Sequence, residues 1–159
     1  LMPDPVLDRP SSRVEVIDDS ARSLAADLLD TMRASPACVG LAAPQIGVAS
    51  RAFAVDVTGH KKARSCRGEM VMFNPEVLRT DRPETGREGC MSVPDLTGDV
   101  ARASQVVVRG VGTDGEVFVV ECDTFEARAV LHEIDHLDGL VFLDRVSGPG
   151  SVFRRQVYR

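Results

Sequence analysis

Two of the three histidines in this chain fall inside five residues, His132-Glu133-Ile134-Asp135-His136. If the segment is helical, residues four apart stack on one face, so both imidazoles can grip a single metal ion from one rigid element. Glu133 then projects beside the ion, where a carboxylate can take a proton from an activated water and hand it to a leaving group. The plainer alternative is a pair of satisfied core histidines on a buried helix. Deciding between them requires a third ligand, a group that stabilises a developing oxyanion, and a cradle for a substrate.

Cys90 offers the third ligand. It sits in Glu88-Gly89-Cys90-Met91-Ser92, at an expected sheet-to-loop transition. Alone it reads as an inert buried thiol, as do Cys38, Cys66 and Cys122. Joined to the helix, it completes a Cys-His-His set with a fourth position left open, the arrangement of a catalytic and not a structural tetrahedral site. The other unusual stretch is Gly40-Leu41-Ala42-Ala43-Pro44-Gln45. Its small residues let another backbone approach closely, and a neutral amide at its end can donate to an oxyanion. A strand-like segment with free N–H and C=O groups would also accept an extended peptide as an added strand.

Several elements must position these groups. The helix carrying the histidines is expected from the cap Asp123 through Phe125, Ala129 and Val130 to Leu137, with Gly139 ending it. An earlier helix is expected in SARSLAADLLDTMRA, with Asp18, Asp19 and Ser20 as caps and Pro36 as its stop; Leu24, Leu28, Leu29 and Met32 form its core stripe. β-like runs cover residues 52–57, 70–73, 105–111 and 116–121, and Thr113-Asp114-Gly115 reads as a hairpin turn. They predict a meandering antiparallel sheet. Pro3, Pro5 and Pro10 make residues 1–17 an extended arm, and residues 60–67, HKKARSCR, read as a solvated polar loop. Residues 140–146 are expected to add a closing strand before a basic tail with Arg154, Arg155 and Arg159.

At 159 residues the chain reads as one domain, long enough to bury about two-thirds of its unfolded surface. A net charge of -5 argues against a general nucleic-acid or anionic-membrane binder. The cysteines show no CxxC spacing, so neither a zinc knuckle nor a disulfide scaffold is expected. No positively charged start precedes an apolar core, and no apolar run approaches the roughly 18 residues of a membrane span. A reducing cytoplasm and a monomer are the expectations.

The segments Cys38 to Gln45, Glu88 to Ser92 and His132 to His136 resemble, in that order, the marks of the peptide deformylase family, GxGxAAxQ, EGCxS and HExxH. Ser92-Val93-Pro94 and His136-Leu137-Asp138-Gly139 look like the family as well. The resemblance implies a small α+β domain over residues 1–159, with antiparallel sheets packed around a central metal-bearing helix. It implies a metal-dependent hydrolase that removes the formyl group from N-formyl-methionine of nascent polypeptides, in a bacterial cytoplasm and at the ribosome. One divalent ion is implied, Fe(II) in the cell, with Ni, Co or Zn able to occupy the site. On this likeness Cys90, His132 and His136 hold the metal and Glu133 is the acid/base. Gln45 and the backbone N–H of Met91 would hold the oxyanion. Val39 and Gly40 would pair with the substrate backbone, and Cys38, Leu41 and Gly89 would belong to the same substrate-binding region. Asp135 is expected behind the ligands, with Arg102 as its cation, and a surface ion pair is the plainer alternative for the two. No direct nucleic-acid or membrane contact is implied.

The chain departs from the family pattern at Cys38, where the motif begins with glycine, and at Leu131, where glutamine commonly precedes the first histidine. A Cβ and sulfur at 38 are expected to weaken binding of substrate and of peptide-like hydroxamate inhibitors. Two alternatives follow: a deformylase-like hydrolase whose altered pocket serves another N-acyl substrate or a resistance role, and a non-catalytic peptide-binding relative. A pure binder has no need for a base beside a metal, which disfavours the second. A zincin-type endopeptidase has no use for the EGCMS cysteine.

Overall fold

The computed structural model of the protein describes residues 4–35, 38–90, 92–146 and 148–155. Its spine is an antiparallel pair of long strands, β3 (Met70–Cys90) and β4 (Val93–Val111). β1 (Gly40–Ala42), β2 (Ala52–Val55) and β5 (Val117–Asp123) extend it in the order β1-β2-β3-β4-β5, and β6 (Val152–Arg154) pairs along Leu96 to Gly98 of β4. All these pairings are antiparallel, which is the meander read from the sequence.

Successive strand residues point to opposite faces, and around β2 both faces are covered. Phe53 and Val55 of β2 turn toward helix α2 (Thr124–Leu137), into a core with Met72, Val108, Val120 and Val130. Ala52 and Ala54 turn the other way, toward helix α1 (Asp19–Ala34) and its buried Leu28 and Met32. Each of these large apolar side chains removed from water contributes on the order of 1.5–3 kcal/mol. Helix α1 begins where expected: Asp18 takes the extended cap geometry and its carboxylate accepts from the Ala21 N–H at 3.0 Å. The helix ends at Ala34, and the expected stop Pro36 lies outside the described residues.

The sheet corrects several expectations. β3 runs on from Phe73 to Cys90 through a polar stretch holding Pro75, Pro83, Gly86 and Gly89, which no strand pattern marks. β2 pairs only with Met70 to Phe73, so beyond Phe73 this strand hydrogen-bonds on one side to β4 and tolerates proline and charge. β4 likewise reaches back to Val93. The closing strand expected over 140–146 is instead a 3-10 turn, Phe142–Asp144, with Phe142 fully buried beside Cys90, Val93 and Val100. The last strand is β6, further on.

Pro3 lies outside the described residues; from residue 4 on, the N-terminal arm is extended apart from a 3-10 turn over Pro5–Asp8, and it fastens the end of α2. Ser11 N–H donates to Leu137 O at 2.7 Å, and Asn74, at φ 51, holds Val14 through both its amide atoms at 2.8 Å. Gly139, at φ 80, closes α2; a Cβ there would sit 2.9 Å from the Arg9 backbone, so only glycine lets the arm pass.

Candidate active site

Helix α2 presents His132 and His136 one turn apart, their ring centroids 5.1 Å from each other. Cys90, the last residue of β3, meets them: its Sγ lies 3.3 Å from His136 Nε2, and one donor atom from each of the three lies within 4.8 Å of the others. A thiolate and two imidazoles from two rigid elements, at that spacing, fit a tetrahedral ion that leaves one position open. Glu133, 4% exposed, carries a buried Oε1 with no hydrogen-bond partner among the described residues, an orphaned acceptor on a side chain that lines the same cavity as Cys90 and His132. Gly40 of β1 closes the other side, where an added Cβ would stand 2.5 Å from Glu133 Oε2.

Glu88 organises the surroundings. Its carboxylate accepts from His132 Nδ1 at 2.8 Å, from Arg102 through Nε at 2.8 Å and Nη2 at 2.9 Å, and from Arg128 at 2.6 Å. The bond to Nδ1 fixes the tautomer that leaves His132 Nε2 with a free lone pair. Arg102 spans to Asp135 at 2.5 Å, as the sequence led us to expect, and Arg145 adds two bonds to Asp135 at 3.0 and 2.8 Å. Arg102 and Asp135 are buried, which corrects the alternative of a surface pair.

The field of this network is consistent with a cation site. Burial pushes Glu133 up to about 7, with the charges of Glu88 and Asp135 adding to the rise and His132 opposing it. Burial alone would suppress a charge on His132, yet hydrogen bonding to Cys90 and Glu88 and the charge of Glu133 raise it to about 10. Burial and the neighbouring His132 press His136 down to about 3. One positive charge is thus favoured between the two rings and a second is not. A divalent ion would take the place of that proton.

A cavity of about 260 Å3 opens beside these groups, lined by Cys38, Val39, Gly40, Gly89, Phe125 and Ala129 together with the site residues. Gln45 stands next to Cys90, its Nε2 3.3 Å from Sγ and 3.1 Å from Ser92 Oγ, while its Oε1 accepts from Ala42 N–H. Met91 lies outside the described residues. Leu41 does not join the cavity: alternation along β1 turns its side chain into the α1 core. Leu131 packs against the α2 core and does not line the cavity either.

Sequence reasoning named Glu88 only as part of a motif and missed Arg128, Arg145 and Arg155, whose Nη2 reaches Cys90 O at 3.4 Å. Arg128 carried a usable signal, standing four residues before His132 on the same helix face. Arg145 and Arg155 act across the fold and carried none.

The family model described as polypeptide deformylase matches residues 1–151. Peptide deformylase 1 of Bacillus subtilis is 43% identical over 145 residues, 91% of this chain and 86% of that protein. A peptide deformylase of Desulforudis audaxviator is 41% identical over 155 residues, 97% of this chain and 94% of its own length. Among solved structures, the peptide deformylase of Thermus thermophilus superposes with a TM-score of 0.84 at 38% identity, covering 94% of this chain and 84% of that one. That of Synechococcus elongatus, solved in complex with actinonin, also gives 0.84, at 35% identity, with 93% and 77% covered. Sequence, fold and the Cys-His-His constellation agree, and the chain belongs to the polypeptide deformylase family.

Proposed function

We propose that this protein is a peptide deformylase, a metal-dependent hydrolase that cleaves the formyl group from the N-formyl-methionine of nascent polypeptides. The observation that carries the reading is the meeting of Cys90, His132 and His136 beside the unpartnered Glu133 Oε1, within a chain of this family. The two alternatives, an altered N-acyl specificity and a non-catalytic binder, have no observation in their favour.

In this reading Cys90, His132 and His136 hold one divalent ion, Fe(II) in the cell, with Ni, Co or Zn able to replace it. When bound, the ion supplies Lewis acidity that lowers the pKa of a water and polarises the formyl oxygen. Glu133, with an affinity for protons near neutrality, accepts the proton as water attacks the formyl carbon and returns it to the amine as the C–N bond breaks. Formate and a free amino terminus result. Gln45 donates its amide N–H to the developing oxyanion, together with the Met91 backbone N–H. The outward edge of β1 at Gly40, with Val39, receives the substrate backbone. Cys38 and Gly89 flank that seat. The protein acts as a single-domain monomer in the cytoplasm, on chains emerging from the ribosome.

The test is formate release from a formyl-Met-Ala-Ser peptide by protein loaded with nickel, or with iron under anaerobic conditions. Glu133→Ala should lower kcat by about 10²- to 10⁴-fold while retaining one equivalent of metal. Absence of release from metal-loaded wild type would overturn the reading.

A further inference from the structure

The loop between β2 and β3 is more than a solvated excursion. Fully buried Glu126 of α2 accepts from Ser65 Oγ at 2.8 Å and from Arg67 N–H at 2.7 Å. Asp123 accepts from Ser65 N–H at 2.8 Å, and Ser65 Oγ accepts from Asp123 N–H at 2.9 Å. His60 stacks on Phe125 with centroids 3.9 Å apart and planes 14° from parallel, and Ala63 packs on the α2 core. Four hydrogen bonds, one ring stack and one apolar contact therefore clamp the loop onto the start of the helix that carries the catalytic residues.

The clamp places Lys61, Lys62 and Arg64 along one wall of a groove of about 480 Å3 whose other cations are Arg87 and Arg128. Glu84 is the one carboxylate in that lining. Arg128 is neutralised by Glu88 and Arg87 by Asp99, whereas Lys61, Lys62 and Arg64 are exposed and have no carboxylate at ion-pair distance among the described residues. In a chain of net charge -5 this is a local concentration of positive charge. The groove shares Arg87, Phe125 and Arg128 with the catalytic cavity, so a peptide whose first residue fills the cavity can continue into it.

We infer that this clamped basic groove recognises acidic side chains in the substrate, downstream of its formylated residue. The inference rests on the deformylase reading and adds a preference to it. Exposed cations each contribute little, but three acting together on a peptide carrying two or three carboxylates should give about a 5- to 10-fold advantage, weakened by salt.

The experiment compares kcat/KM for formyl-Met-Ala peptides continued by three Asp, three Ser or three Lys, on nickel-loaded protein at low and high salt. It pairs this with fluorescence anisotropy of the corresponding labelled N-acetyl peptides, which reads binding without turnover. The expected order is Asp above Ser above Lys in both readouts, compressed at high salt and abolished by Lys61→Ser, Lys62→Ser and Arg64→Ser together. A control triple of equal charge change, Arg22→Ser, Arg33→Ser and Arg109→Ser, should keep the order. Equal values for the three peptides with wild type would overturn the inference, as would loss of the order in both triples, which would make it an effect of net charge. Binding of a short RNA that needs the three groove cations, with no discrimination among peptides, would also overturn it. No turnover of any peptide, with the binding order intact, would instead sink the deformylase reading alone.

Discussion

At the scale of single residues, the site depends on close approach around Glu133 and on which backbone groups stay free. A Cβ on Gly40 would stand 2.5 Å from Glu133 Oε2, which cannot be accommodated without moving the carboxylate. Gly40→Ala should therefore lower kcat by about 10²-fold while the metal content measured by elemental analysis stays at wild-type level. Cys38 offers a second cause of weakened binding beside its bulk. Val39 O accepts from Asp56 N–H, so the N–H and C=O of Gly40 face away from β2, toward the open edge. Cys38 Sγ donates to Gly40 O at 3.2 Å, and burial raises its pKa, which keeps the donor protonated. If a substrate backbone adds along this edge, as proposed, the thiol would compete with its N–H for that carbonyl. Cys38→Ala should lower KM by about 3- to 10-fold with kcat little changed, whereas Cys38→Ser, which retains a donor, should stay near wild type. Identical KM values for the two variants would show that volume, and not hydrogen bonding, is what matters.

At the scale of elements, β3, β4 and α2 are joined by one buried ionic network centred on Glu88. Burial alone would raise Glu88, but hydrogen bonds and charge from His132 and Arg102 hold it at about 2 against an ordinary 4.5. A depressed carboxylate contributes stability that is present above its unfolded pKa and lost as pH falls through its folded one. The metal-free protein should therefore lose about 3 kcal/mol from this group between pH 4.5 and 2 in urea melts. The rises of Arg102 and His132 express the same contacts and are not added to that figure. Glu133 has the opposite sign: raised to about 7, it favours the fold below 4.5, and that benefit disappears as pH rises through 7. Glu88→Gln should cost about 3–5 kcal/mol, because it leaves buried Arg102 with Asp135 alone and half-buried Arg128 with no carboxylate partner. A loss below 1 kcal/mol would mean that the network is merely tolerated and contributes little.

At the scale of the whole molecule, metal loading couples the site to the fold. A divalent ion held by the three proposed ligands would displace the proton favoured on His132, and would bind the folded donor set better than a disordered chain. Nickel added to metal-free protein at pH 7.5 should release about one proton or more, read as the dependence of calorimetric heat on buffer ionisation enthalpy. The same addition should raise Tm, and a chelator should reverse it. Heat independent of the buffer, or an unchanged Tm, would count against binding at these three residues.

The sequence by itself determined what lies within one turn or one strand. Spacing of four placed His132 and His136 on one face, Asp18 started α1, and Gly115, at φ 78, turned the hairpin before β5. Those features depend on local backbone geometry, which residue types encode directly. Tertiary structure alone decided the rest. Residues 74–90 become a strand because β4 supplies hydrogen-bond partners along their length, not because of any alternation of their own. Phe142 sits in a 3-10 turn because the space beside Cys90 needs a large apolar side chain there. Leu41 faces the α1 core because the register of β1 on β2 points it away from the cavity. Glu88 gathers His132, Arg102 and Arg128 from 14 to 44 residues away, and such a convergence exists only once the chain has folded, because no local spacing encodes it.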